Sequence, residues 1–263
     1  MTVRNEWQGK RVLITGGSSG LGKELALQAA HQGAKVVIVA RRLERLQEVI
    51  QGTDIRAIQA DVSDKEAIYR ITGEALAHLG GVDVLFNNAS ALGPTPMPLL
   101  LDTDCEDLAD VLETNLIGPF RLTKALLPSM LLQQKGLVIN LSSDASQSAY
   151  PTWGAYSVSK AALDHLTKVW REELSEHGIS FVAIDPGDMY TPMHLEAIPD
   201  ANRADLYEPK DVARELLTFL SQPTYIKEPR YSASQWREQA RQEIRIVREN
   251  MEEVRLQIYK PEA

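Results

Sequence analysis

Tyr156 and Lys160 stand one helical turn apart in the stretch from Ser142 to Lys168, where Ala155, Val158, Ala162, Leu166 and Val169 recur at steps of three or four. That spacing predicts a helix with a buried apolar stripe and with Tyr156 and Lys160 on one face, roughly 6 Å of rise apart. A phenol beside an ammonium is an acid/base pair. The positive charge favours phenolate and pulls a pKa near 10 toward neutrality, at about 1.36 kcal/mol per pH unit. Taken alone the pair is common on exposed helices that do no chemistry. Just upstream, Gly136 to Leu141 reads as a short buried strand that breaks at Ser142-Ser143. Two hydroxyls then lie at a strand's C-terminal end, where open α/β sheets bind their ligands.

Such a sheet needs a series of strands and helices, and the front of the chain supplies it. Arg11 to Thr15 is a short apolar strand, followed by Gly16-Gly17-Ser18-Ser19-Gly20-Leu21-Gly22 and a helical pattern through Ala30. Glycines let a backbone turn tightly and approach a pyrophosphate, which then rests on a helix N-terminus rich in free N–H groups. Lys35 to Ala40 gives a second strand, ending at Arg41-Arg42. An acidic residue about 20 positions past the glycines would bind the ribose of NAD, whereas a guanidinium suits the 2′-phosphate of NADP. Arg41 or Arg42 therefore favours NADP. Ile55 to Ala60 with Asp61-Val62, a helix to His78, and Val82 to Phe86 with Asn87-Asn88-Ala89-Ser90 continue the alternation. This rhythm means a parallel, doubly wound sheet, with Asp61, Val62, Asn88 and Ala89 at strand ends flanking an adenosine. Thr103 to Leu132 reads as one apolar helix. Pro119 has no N–H to give the carbonyl of Asn115, so the helix is expected to kink and leave that carbonyl free to hold a water.

Length and composition agree with one sizeable domain. The 263 residues are 44% apolar and 24% charged, ordinary globular values. A net charge of −8 argues against general affinity for nucleic acid or anionic membranes. The single cysteine, Cys105, excludes an internal disulfide or a cysteine-built metal site. The N-terminus lacks a secretory apolar run and no window reaches a membrane span, so the expected compartment is the cytoplasm.

Together these motifs resemble the short-chain dehydrogenase/reductase family over about residues 8 to 222: Thr15 to Gly22, Asn87 to Ser90, Asn115, Ser143, Tyr156 to Lys160 and Asp185 to Thr191. The resemblance implies a Rossmann-type α/β fold, with about seven strands, helices on both faces and a C-terminal helical extension. It implies hydride transfer between NADP(H) and a carbonyl or secondary alcohol, without metal. Tyr156 would be general acid or base, and Lys160 would lower its pKa and hold the nicotinamide ribose. Ser143, rather than Ser142, would bond the substrate oxygen, and Asn115 would anchor a water leading to Lys160. Gly16, Ser18, Ser19, Gly20, Leu21 and Gly22 would hold the pyrophosphate, Asp61 and Val62 the adenine, and Pro186, Gly187 and Thr191 the nicotinamide side. Assembly as a homodimer or homotetramer through the helices of Asn115 and Tyr156 is likewise implied. The competing class is a nucleotide-binding scaffold without turnover.

The chain departs from the family where Ser90 replaces a usual glycine, where Arg230 to Ser234 lacks the glycine pair that usually follows the last strand, and where a tail continues to Ala263. Residues 1–234 are expected to form one domain, including a substrate loop at 188–208, with 235–263 a helical tail. Ser232 to Gln235 offers a capping box. Trp236, Ala240, Ile244, Val247, Met251, Val254 and Ile258 form an apolar seam that covers the chain's own sheet edge or reaches a second subunit. The substrate pocket is expected from 90–101, 144–153 and 189–206. Leu92, Met97, Trp153, Met189 and Met193 form either its apolar wall or mere loop packing, and Asp144 and His194 can add polarity.

Overall fold

Val12 and Ile14 enter the core on one side of their strand and Leu13 on the other, as a period of two requires when both faces are covered. The computed structural model describes residues 6–221, 226–242 and 245. In chain order the elements are β1 Arg11–Thr15, α1 Gly20–His31, β2 Lys35–Ala40, α2 Leu43–Ile50, β3 Arg56–Gln59, α3 Lys65–Leu79 and β4 Val84–Asn87. There follow α4 Cys105–Leu112, α5 Gly118–Gln133, β5 Gly136–Leu141, α6 Gly154–Leu174, β6 Ile179–Ile184, α7 Pro192–Ala197, α8 Pro209–Leu220 and β7 Arg230–Tyr231. A further helix covers 233–242.

The seven strands form one parallel sheet in the order β3-β2-β1-β4-β5-β6-β7. Buried residues of α1, α2, α8 and helix 233–242 pack on one face, and those of α3 and α5 on the other. This is the doubly wound, Rossmann-like architecture expected. β6 adds a strand beyond those read from the sequence. Strand order reverses between β1 and β4, so a crevice opens beyond their C-terminal ends, where the glycine turn and Asn88 sit.

Three elements differ from expectation. The stretch expected as one kinked helix is α4 and α5 joined by a wide π-helical turn, Glu113–Ile117, in which the Gly118 N–H donates to the Glu113 carbonyl five residues back. Pro119 cannot donate, and the chain widens by one residue before it instead of bending sharply at it. The turn places Asn115 inward, fully buried.

On α6 the buried face is not the apolar stripe. Tyr156, Ser159, Lys160, Leu163, Asp164 and Thr167 are buried, whereas Val158 is 50% and Val169 40% exposed. Polar side chains win the inner face because the site and the Asn140–Thr167 hydrogen bond lie there.

β7 is two residues long, and the tail helix begins at 233, with Gln235 Oε1 accepting the Ser232 N–H at 2.9 Å as the capping box requires. Its Trp236 and Ala240 are fully buried in this chain's own core. Ile244, Val247, Met251, Val254 and Ile258 lie outside the described residues.

Candidate active site

The glycine turn is cut to the space it occupies. A Cβ on Gly22 would stand 2.5 Å from the Gly16 carbonyl oxygen, and one on Gly16 2.9 Å from Ala89 Cα. Gly16 also holds φ +67°, a left-handed backbone that side chains disfavour. Thr15 Oγ1 accepts the N–H groups of Asn88 and Ala89, both at 3.0 Å, and Asn88 Nδ2 donates to the Thr15 carbonyl at 2.9 Å, locking the end of β4 to the turn. No side chain caps the N-terminus of α1. Its N–H groups face the cleft, a cradle suited to a pyrophosphate.

One cleft of about 820 Å³ runs from this cradle past Tyr156. Gly16, Ser18, Ser19, Gly20, Leu21, Arg41, Arg42, Asp61, Val62, Asn88, Ala89, Tyr156, Lys160, Pro186 and Thr191, all expected from the sequence as cofactor contacts, line it together. Gly22 packs beneath the turn, and Gly187 faces a neighbouring cleft. Arg41 is exposed and pairs with Asp61 at 3.7 Å; a pair this open is weak and free to rearrange.

Tyr156 and Lys160 are 9% and 2% exposed. Burial, with help from Asp185 and Asp144, pushes the phenol up to about 12, against the hydroxyls of Ser143 and Ser90, which hydrogen-bond it and favour its ionised form. Burial lowers Lys160 to about 8, opposed by Asp164. The expectation that Lys160 pulls Tyr156 toward neutrality is not met in the polypeptide itself. The ammonium donates to the Leu141 carbonyl at 2.7 Å, and desolvation of the phenol dominates. Of the two serines, Ser143 is the one whose hydroxyl reaches the phenol; it also donates to Asp144 Oδ1 at 2.9 Å. Ser142 is turned to Ser146 Oγ at 3.3 Å.

Asn115 does not present its side chain to the cleft. Its amide donates to the Ala91 carbonyl at 2.8 Å and to Ser159 Oγ at 2.9 Å, while its oxygen accepts from Ala91 N at 2.7 Å and Ser90 Oγ at 3.1 Å. It clamps the segment after β4 to α6. Of the residues proposed for the apolar wall, Leu92, Met97, Trp153 and Met193 gather around Tyr156, with the Trp153 ring 5.7 Å from the tyrosine ring. Met189 packs on the edge of the main core and also lines the cleft. Asp144 accepts from the Tyr150 hydroxyl at 2.8 Å, and His194 Nδ1 lies 3.7 Å from Asp188.

Two supports were not legible from motifs. Arg230 on β7 pairs with buried Asp164 at 2.7 Å and donates to the Ser143 carbonyl at 3.0 Å, bracing the serine loop. Trp236 Nε1 donates to the Asp185 carbonyl and Arg237 Nη2 to the Pro186 carbonyl, each at 2.8 Å, while the Arg237 guanidinium lies over the Tyr207 ring at 3.7 Å. The tail helix therefore bolts down the segment that walls the inner end of the cleft. Trp236 was visible in the sequence as part of the seam; its target was not. Among the described residues no group of His, Cys, Asp and Glu is arranged to hold a metal, and no helix is long and apolar enough to cross a membrane.

A family model described as short chain dehydrogenase matches residues 10–202. An uncharacterized oxidoreductase of Mycobacterium bovis is 37% identical over 196 residues, which are 71% of this chain and 57% of that relative's own length. An uncharacterized oxidoreductase of Staphylococcus epidermidis is 31% identical over 219 residues, 82% of this chain and 93% of the relative. Among solved structures, a short chain dehydrogenase of Shigella flexneri complexed with NADP superposes with a TM-score of 0.80 at 25% identity, covering 88% of this chain and 100% of that one.

Proposed function

Because this chain belongs to the short-chain dehydrogenase/reductase family, we propose that it is an NADP(H)-dependent oxidoreductase acting in the cytoplasm on a small carbonyl or secondary alcohol, with Tyr156 as general acid and base. The observation that carries this reading is the placement of a buried phenol, with a serine hydroxyl on it, on the wall of the same cleft that holds the glycine cradle. Bound there, the nicotinamide would supply or take up the hydride.

The chain's own groups do the rest. Gly16 to Gly22 and the N-terminus of α1 receive the pyrophosphate, and Arg41 or Arg42 the 2′-phosphate, a charge-assisted contact worth about 1.5–3 kcal/mol that favours NADP(H) over NAD(H). Asp61, Val62, Asn88 and Ala89 would flank the adenosine, and Pro186 and Thr191 would border the nicotinamide side. With a pKa of about 12 the phenol is fully protonated at neutral pH and ready to give its proton to a carbonyl oxygen. Ser143 would turn its hydroxyl from Asp144 to that oxygen, and Lys160, giving up the Leu141 carbonyl, would be the group to hold the ribose. There its charge favours the phenolate that proton transfer leaves behind, which the polypeptide alone does not do. The apolar ring of Leu92, Met97, Trp153 and Met193 excludes water and suits an apolar substrate body.

A cofactor-coupled screen across steroid, sugar, acyl and aromatic carbonyls identifies the substrate. On it, Tyr156→Phe is expected to keep its fold and NADPH affinity while kcat falls at least about 100-fold. Retained activity in that variant would refute the assigned role. NADPH binding with no hydride transfer to any carbonyl would make the chain a nucleotide-binding scaffold instead.

A further inference from the structure

The hydrogen bonds beneath Tyr156 run in a chain to the segment after β4. Ser159 Oγ donates to the Tyr156 carbonyl at 2.6 Å and accepts from Asn115 Nδ2 at 2.9 Å, and Asn115 Oδ1 accepts from Ser90 Oγ at 3.1 Å. Ser90 is half-buried on the cleft wall beside Tyr156. There its hydroxyl favours the ionised form of the phenol, so the buried amide that reaches the tyrosine's carbonyl through Ser159 also holds the serine on the side of its hydroxyl.

We propose that Ser90 is a positioning residue for the reaction: braced by Asn115, its hydroxyl holds the Tyr156 oxygen in the cleft and donates to it once it ionises. While the phenol keeps its proton, Tyr156 donates to Ser90 Oγ and the serine proton lies on Asn115 Oδ1. When the proton has gone to the substrate, the serine hydroxyl swings to the phenolate, and Asn115 Oδ1 keeps the Ala91 N–H at 2.7 Å, so the buried amide is not stranded. The need for a second hydroxyl follows from the duties of the first. Ser143 also has to serve the substrate oxygen, and with glycine at position 90 the phenolate would lose the hydroxyl on the Ser90 side. The catalytic meaning of this contact rests on the role given to Tyr156 above.

Tyrosine isotope-labelled at Cζ reports ionisation by NMR in the full chain saturated with NADP⁺, and the resonance missing from Tyr156→Phe identifies Tyr156. Ser90→Ala is expected to move its midpoint upward by about one pH unit, the size of one lost hydrogen bond to a charged oxygen. Ser90→Gly, measured in parallel, is expected to move it the same way, and Ser90→Thr to restore it. Equal midpoints in wild type and Ser90→Ala, including no titration in either, would overturn the proposal, as would Ser90→Thr behaving like Ser90→Ala. An active Tyr156→Phe would remove the general acid without altering this titration, so the two readings fail separately.

Discussion

Lys160 is a cation held at 2% exposure, its ammonium on the Leu141 carbonyl, and its cost to the fold depends on pH in a way that can be measured. Its pKa falls from 10.5 in the open chain to about 8 in the fold. The unfolded chain therefore binds more protons between those values, and stability rises with pH across that window; below about 8 the full cost of burying the charge is present. Tyr156 has the opposite sign. Raised from 10 to about 12, it contributes stability that is complete below 10 and is lost as pH climbs toward 12. Melting temperature is thus expected to gain a lysine contribution between about pH 8 and 10, before the tyrosine loss begins. Lys160→Met removes a buried charge at similar volume, so its melting curve should lose that rise while hydride transfer collapses. A Lys160→Met chain that keeps the wild-type slope over this window would place the titrating group elsewhere. At neutral pH the phenol is protonated and the lysine close to its own pKa, the state from which the reduction proposed above would start.

At the scale of elements, the tail helix is a working part of the domain. Trp236 is fully buried in the core cluster that also holds the buried residues of α8 and Tyr231 of β7, and its indole N–H holds the Asp185 carbonyl, next to Pro186 on the cleft wall. Trp236→Ala is expected to cost about 3–5 kcal/mol in denaturant unfolding, the range for deleting a buried aromatic ring. Trp236→Phe keeps most of the buried ring and loses the N–H, leaving a buried carbonyl unpaired at about 1–3 kcal/mol. Its expected signature is a raised KM for NADPH out of proportion to the stability lost, because Pro186, the next residue after Asp185, lines the cleft proposed for the cofactor. Equal KM in wild type and Trp236→Phe would reduce the bolt to a packing contact. The π-helical turn works in the same way from the other side: by carrying Asn115 inward it lets one amide hold Ala91, Ser90 and Ser159 together.

For the whole molecule, the outward face of α6 carries apolar side chains that no other described residue covers. Val158 and Val169 lie exposed on it, and Leu101, 94% exposed, adds to the apolar surface of the region before α4. We propose that this face meets a second copy of the chain. A charge placed there should prevent burial while leaving the fold alone, since neither valine contributes to the core. Val158→Glu is expected to halve the mass measured by light scattering, with the melting temperature of the dissociated chain near that of wild type at equal dilution. A wild-type protein of monomer mass, or a variant of unchanged mass, would refute the assembly. For Trp236 and Ala240 the tail's destination is decided: both belong to this chain's own core rather than to a neighbour's.

What the amino-acid order determined by itself was local. β1, β2 and β5 run over the residues expected, because short apolar runs bounded by glycine, arginine or serine carry their own start and stop signals. The glycine turn and the residues of the cleft were legible for the same reason: strand, turn and helix are adjacent in the chain, and a phosphate cradle needs nothing else. Tertiary structure decided everything that depends on what arrives from far away. Periodicity found the apolar stripe on α6 but not which face the sheet would cover. The shift of Tyr156 upward rather than downward follows from its desolvation by Leu92, Ala145 and their neighbours, which lie on separate loops. The bond from Ser90 to Asn115 and the bolt from Trp236 to Asp185 span long stretches of chain. No spacing rule encodes them, because such contacts are selected by the shape of the finished core.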